Sequence, residues 1–194
     1  MTPNEAWLKL VEGNKRFVDG TVVGPHRDAA RREELKAGQK PFACVFACGD
    51  SRVPVELLFD RGFGDVFVVR TAGHTVDTAV LASLEFAVVG LGVDVLVVLG
   101  HESCGAVGAT KAALDGNGIP DSYQRFLVEN IAPAAILSSG EGKVTRKDME
   151  ERHVKETVNQ ILAECPKIKE ATENDSCAVL GARYELSGVV TRLV

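Results

Sequence analysis

The chain has 194 residues, 45% of them hydrophobic and 25% charged, with a net charge of −5. That length suits one ordinary domain with a sizeable core. A nucleic-acid footprint and a membrane-binding basic helix are excluded, because the densest basic cluster, Arg27 to Arg32, runs straight into Glu33 and Glu34. No apolar run approaches the ~20 residues that cross a bilayer, and the polar start MTPNEAWLKL lacks the pattern of a signal peptide. The expectation is a soluble cytoplasmic protein. There, five cysteines (Cys44, Cys48, Cys104, Cys165 and Cys177) stay reduced, and an exposed one points to metal or catalytic chemistry.

In chain order, Thr2-Pro3-Asn4-Glu5 reads as a helix-capping box with proline at the first helical position. Trp7, Leu10, Val11 and Phe17 or Val18 follow near one stripe, and Gly20 stops the helix. A second short helix spans Arg27 to Ala37. Both helices precede the first core strand and need something to cover, on this subunit or on a partner. Three runs, Ala43–Ala47, Val66–Val69 and Val93–Leu99, are apolar on both faces, the pattern of parallel strands covered by helices. Ser51 is placed to cap a helix starting near Val53. Thr75 to Leu91 has helical spacing and reads as a right-handed crossover. Asp121 to Leu137 is a helix kinked or broken by Pro133. Thr145 caps another, with Val154, Val158, Ile161 and Leu162 on one face, ended by Pro166. Ala178–Leu180 and Val189–Leu193 form a final strand pair. Nothing divides the chain, so residues 1–194 read as a single α/β domain.

Cys48 ends the first apolar run. His101 ends the third, and Cys104 follows within GHESC. In an open parallel sheet chemistry collects at the carboxyl ends of the strands, so both groups share one edge. Two thiolates and one imidazole suit Zn²⁺ and leave a fourth position open, the mark of a catalytic site. Asp50 and Arg52 read either as a surface ion pair or as a carboxylate near that fourth position, restrained by a guanidinium. Zn²⁺ with two thiolates has no net formal charge and acidifies water less than a three-imidazole site at pKa ~7. An acceptor and a cation beside it are therefore useful. There is no C-x-x-C, no P-loop, and no deaminase signature.

Cys48-x-Asp50-x-Arg52 followed by His101-x-x-Cys104 resembles the zinc and dyad signature of the β-class carbonic anhydrases. Blocks 45–53, 64–74, 83–87 and 100–108 match family blocks in order. The resemblance implies one zinc per subunit on Cys48, His101 and Cys104, whose hydroxide attacks CO₂ to give bicarbonate and a proton. It implies that Asp50 accepts a hydrogen bond from that hydroxide, or binds zinc in a closed form, and that Arg52 holds Asp50. Gln39, Phe67 and Phe86 would line the substrate pocket, the aromatic pair across a dimer interface, and the Gly105 N–H would contact bicarbonate. The implied protomer has four parallel strands plus one antiparallel edge strand. It forms a homodimer or a dimer of dimers, clasped by an N-terminal arm at 1–38 that packs on the partner subunit. Two positions depart from family patterns: Phe86 stands where the plant-like branch has tyrosine, and Val45 where some bacterial members carry the tryptophan of an inhibitory bicarbonate site. The alternatives are a CS₂ or COS hydrolase on the same scaffold and a non-catalytic zinc-stabilised binding protein. His74 and His26 are candidate proton shuttles on chemical grounds, and His153, among Glu150, Glu151, Lys155 and Glu156, reads as solvated. Cys44, Cys165 and Cys177 read as inert.

Overall fold

The computed structural model describes residues 1–194. Its five strands form one sheet in the order β2-β1-β3-β4-β5, with β1 at Ala43–Cys48, β2 at Val66–Thr71, β3 at Val95–His101, β4 at Ala178–Tyr184 and β5 at Val190–Arg192. The first four are parallel and β5 runs antiparallel to β4. This is the expected sheet. The inner strands β1 and β3 are buried along their whole length, as their unbroken apolar runs require. β2 departs from expectation: it is just as apolar, yet only half-buried. It has a neighbour on one side only, and Phe86, whose ring meets Phe67, is more than half exposed, as is Val89. An apolar run read alone does not distinguish an inner strand from an edge.

Helix α1 (Pro3–Val18) carries the expected capping box, with the Thr2 hydroxyl accepting from the Glu5 amide at 3.2 Å and the Glu5 carboxylate from the Thr2 amide at 2.7 Å. Ala6, Trp7 and Leu10 bury against β1, β3 and β4 of this same chain, in one core with Val45, Val97, Leu99 and Ala182. Val11 and Val18 face outward. Helix α2 (Ala29–Glu34) buries none of its residues. Helix α3 (Val55–Leu58) begins after Pro54 and has no side-chain cap, so Ser51 does not cap it. The Asp50 carboxylate instead accepts from the Arg52 amide at 2.9 Å and tightens the turn before it. Helix α4 (Thr78–Glu85), capped by Asp77, loosens into a wider turn at Phe86–Gly90. Helices α5 (Gly105–Ala112), α6 (Gln124–Gly140, continuous through Pro133), α7 (Arg146–Glu164, capped by Thr145) and α8 (Pro166–Glu173) complete the fold.

Helix α7 lies directly on the sheet. Gly100 on β3 and Gly181 on β4 sit beneath its Val154. A Cβ on Gly181 would stand 2.8 Å from Val154 Cγ1, and one on Gly100 would collide with Val154 Cγ2. Only bare backbone lets the helix lie this close to the sheet. Glu150 and His153 are thereby brought into the core. His153, expected in solvent, is fully buried.

Candidate metal centre

Cys48 is the last residue of β1 and His101 the last of β3. Cys104 precedes α5, and a left-handed Ser103 (φ 58°) turns the chain between them. The two sulfurs and a ring nitrogen of His101 lie within 4.8 Å of one another, all three residues buried. His101 Nδ1 lies 2.8 Å from the Glu102 carbonyl. A carbonyl only accepts, so Nδ1 carries the proton. Nε2 is left with a free lone pair, buried and without a hydrogen-bond partner. A buried acceptor with no donor is costly unless a cation takes its lone pair. The donor set therefore fits zinc in softness, number and tautomer. A hydrogen bond from the Cys104 thiol holds Cys48 well below the ordinary thiol range and keeps Cys104 well above it. The amides of Asp50 and Gly73 also donate to Cys48 Sγ, at 3.4 and 3.2 Å.

Beside the cluster Arg52 grips Asp50 twice, Nε to Oδ1 at 2.9 Å and Nη2 to Oδ2 at 2.8 Å, and Nη2 also reaches the Ser103 carbonyl at 3.2 Å. These bonds hold the Asp50 carboxyl well below the usual carboxylate range. Arg70 steadies the same turn from β2, donating to the carbonyls of Cys48 (2.9 Å) and Asp50 (2.6 Å).

The structure also contains supports that sequence reasoning missed. Glu150 Oε1 accepts from the Cys104 amide at 3.1 Å, while Oε2 takes Arg183 Nε and Nη2 at 3.1 and 3.0 Å. Arg146 lies 3.5 Å from the same carboxylate and donates to the Cys104 carbonyl. One signal was available: Glu150 and His153 sit within the Met149, Val154, Val158, Ile161 stripe, where a polar residue has to be satisfied.

Cys48, His101, Cys104, Asp50, Arg52 and Gly105 thus meet at one sheet edge. Gln39, Phe67 and Phe86 do not join them within a chain. Gln39 is exposed ahead of β1, at the other end of the strands. Phe67 pairs in register with Cys44, whereas Cys48 pairs with Thr71, a separation of about 13 Å along the strand. Its ring instead meets Phe86 at 6.1 Å. Neither proposed shuttle is placed to work. His74 is buried, and burial holds its pKa well below the ordinary histidine value, while His26 bonds Asp65 at 2.7 Å, just ahead of β2 and away from the cluster. Cys44, Cys165 and Cys177 are buried away from the site, and burial pushes the Cys177 thiol up to about 12.

A buried Cys-His-Cys cluster at the carboxyl edge of a parallel α/β sheet defines a zinc-type metalloenzyme. A family model described as carbonic anhydrase matches residues 43–189. Carbonic anhydrase 2 of Mycobacterium tuberculosis is 47% identical over 184 residues, covering 95% of this chain and 89% of the relative. The carbonic anhydrase of Mycolicibacterium smegmatis is 45% identical over 185 residues, covering 95% and 90%. Among solved structures, the Coccomyxa β-carbonic anhydrase in complex with acetazolamide aligns with a TM-score of 0.75 at 25% identity, covering 95% of this chain and 84% of that one. A tetrameric β-carbonic anhydrase of Sordaria macrospora shares the fold, with a TM-score of 0.73 at 22% identity, covering 98% and 97%. The chain belongs to the β-carbonic anhydrases, zinc enzymes whose family activity is the hydration of CO₂.

Proposed function

We propose that this chain hydrates CO₂ reversibly at the Cys48, His101, Cys104 centre, with Asp50 and Arg52 as the working dyad. The observation that carries this reading is the two-point grip of Arg52 on Asp50, anchored to Ser103 beside the cluster. Zinc at that centre supplies the Lewis acidity that makes water a nucleophile near neutral pH. Asp50, kept ionised, accepts a hydrogen bond from the attacking water and orients its lone pair. Arg52 fixes the carboxylate's angle and limits its travel. Gly105 opens α5, and its free N–H, at the positive end of the helix, suits a bicarbonate oxygen. Gln39, Phe67 and Phe86 complete the pocket from a second subunit. Their placement away from this chain's own cluster and the exposure of Phe86 support that role.

The same reading makes residues 1–194 one domain whose 1–38 segment meets the partner. The inner face of α1 lies on its own core, while Leu8, Val11, Val18, Val22 and Val23 are exposed and α2 buries nothing. These exposed side chains support a homodimer or dimer of dimers, and the reading places its work in the cytoplasm. No helix is long and apolar enough to cross a membrane. Stopped-flow assays with CO₂ and CS₂ side by side test the substrate. Turnover of CO₂ is expected, and activity on CS₂ or COS with none on CO₂ would assign the scaffold's hydrolase chemistry instead.

A further inference from the structure

One of the two amides on the Cys48 sulfur comes from its own turn, through Asp50. The other, Gly73 N at 3.2 Å, comes from the loop that follows β2. That loop takes a shape the backbone does not choose unaided. Gly73 has φ 64° and His74 φ 41°, two left-handed residues in succession, the second with a side chain. Such a loop persists only where its surroundings over-determine it. A Cβ on Gly73 would stand 2.7 Å from Ala106 Cβ and 3.0 Å from Ile131 Cδ1, so packing fixes the glycine from one side. The Thr71 and Thr75 hydroxyls tie the loop internally, bonding the Thr75 and Ala72 carbonyls at 2.8 and 3.2 Å, and from the other side α7 contributes His153, which bonds the Gly73 carbonyl itself. His153 Nε2 lies 2.8 Å from the Gly73 carbonyl, and its ring stacks on that of His74 with centroids 4.2 Å apart. The carbonyl accepts, so Nε2 carries the proton and donates. Burial holds the His153 pKa down to about 4, which keeps the ring neutral with that single donor aimed at the loop. Neither ring nitrogen of His74 has a partner, so His74 contributes a surface for stacking and no hydrogen bond.

We propose that His153 is a positioning residue for the metal centre: by holding the Gly73 carbonyl it keeps the Gly73 amide on the Cys48 sulfur and sets how strongly that sulfur donates to the metal. The proposal rests on the zinc assignment above. An N–H donated to a thiolate withdraws charge from it and disfavours its protonation. Groups that orient a ligand in this way commonly change metal affinity about 10–100-fold when removed.

Two substitutions separate the donor from the ring. His153→Phe keeps a ring to stack on His74 and loses the N–H. His153→Gln loses the ring and keeps an N–H at the reach of Nε2. Zinc release from the holoenzyme to a chromogenic chelator is timed, and the sulfur-to-metal charge-transfer band is recorded after replacement of zinc by Co²⁺. His153→Phe is expected to release zinc about tenfold faster and to move the band to longer wavelength, because a sulfur without its hydrogen bond is easier to oxidise. His153→Gln should restore both. If the phenylalanine variant does not fold by circular dichroism, His153→Leu takes its place as the donor-free arm. A band and release rate unchanged in the donor-free variant, or a glutamine variant as impaired as it, would overturn the proposal. A wild-type protein that binds no zinc would overturn the assignment beneath it.

Discussion

Replacing Glu150 by alanine removes the carboxylate that answers the Cys104 amide, Arg183 and Arg146 together. Glu150 is 2% exposed and Arg183 5%. Breaking a buried pair by deleting one member costs about 3–5 kcal/mol, because the other charge is stranded. Arg183 keeps a second partner, Glu185 Oε1 at 3.2 Å, on a half-exposed side chain, so the lower end, about 3 kcal/mol, applies. The orphaned Cys104 amide adds about 1 kcal/mol. A chain of this size loses about 2–4 °C of melting temperature per kcal/mol, so a drop of about 8–16 °C is expected. Calorimetry of zinc-loaded protein measures it. The double variant Glu150→Leu/Arg183→Met removes both charges and fills the space, and should recover at least half of the loss. A single variant that melts within about 2 °C of wild type, or a double variant no better than the single, would refute a buried charge network at Cys104.

Asp50→Asn should keep its zinc and lose about 10²–10⁴-fold in CO₂ hydration, the ordinary contribution of a positioned proton acceptor. Full activity at normal zinc content would remove Asp50 from the reaction. The buried histidines make stability depend on pH. Burial holds His153 down to about 4 and His74 well below the ordinary value, whereas the unfolded chain protonates both near ~6.5. Unfolded chains therefore bind more protons as the pH falls. Stability is complete above ~6.5 and declines below it by up to ~1.4 kcal/mol per pH unit for each ring, until the folded rings themselves titrate. Cys48 and His101 are the titratable groups facing the pair. Urea unfolding between about pH 8 and about pH 5 should show this slope, reduced by one proton in His153→Gln. Equal slopes in the two proteins would refute it.

The inner strands and the Cys-His-Cys cluster were legible because Cys48, His101 and Cys104 each end, or closely follow, an unbroken apolar run, and in a parallel sheet those ends share an edge. The capping boxes of α1 and α7 were legible because they are local. What was not legible depends on distant parts of the chain. Val66–Val69 reads as an inner strand, yet edge position is set by sheet order. His153 reads as solvated among its charged neighbours, yet its depth is set by Gly100 and Gly181, the bare positions that let α7 sink onto the sheet. The role of Glu150 likewise needs Arg183, which arrives on β4 from a different part of the sequence.

The most direct measurement is zinc content by native mass spectrometry, paired with stopped-flow CO₂ hydration on the same samples of wild type and Cys48→Ala. The wild type is expected to carry one zinc per chain and to hydrate CO₂, and Cys48→Ala to lose both together. A Cys48→Ala protein with undiminished zinc, or a fully loaded wild type with no hydration at any pH, would contradict a catalytic zinc held by Cys48, His101 and Cys104.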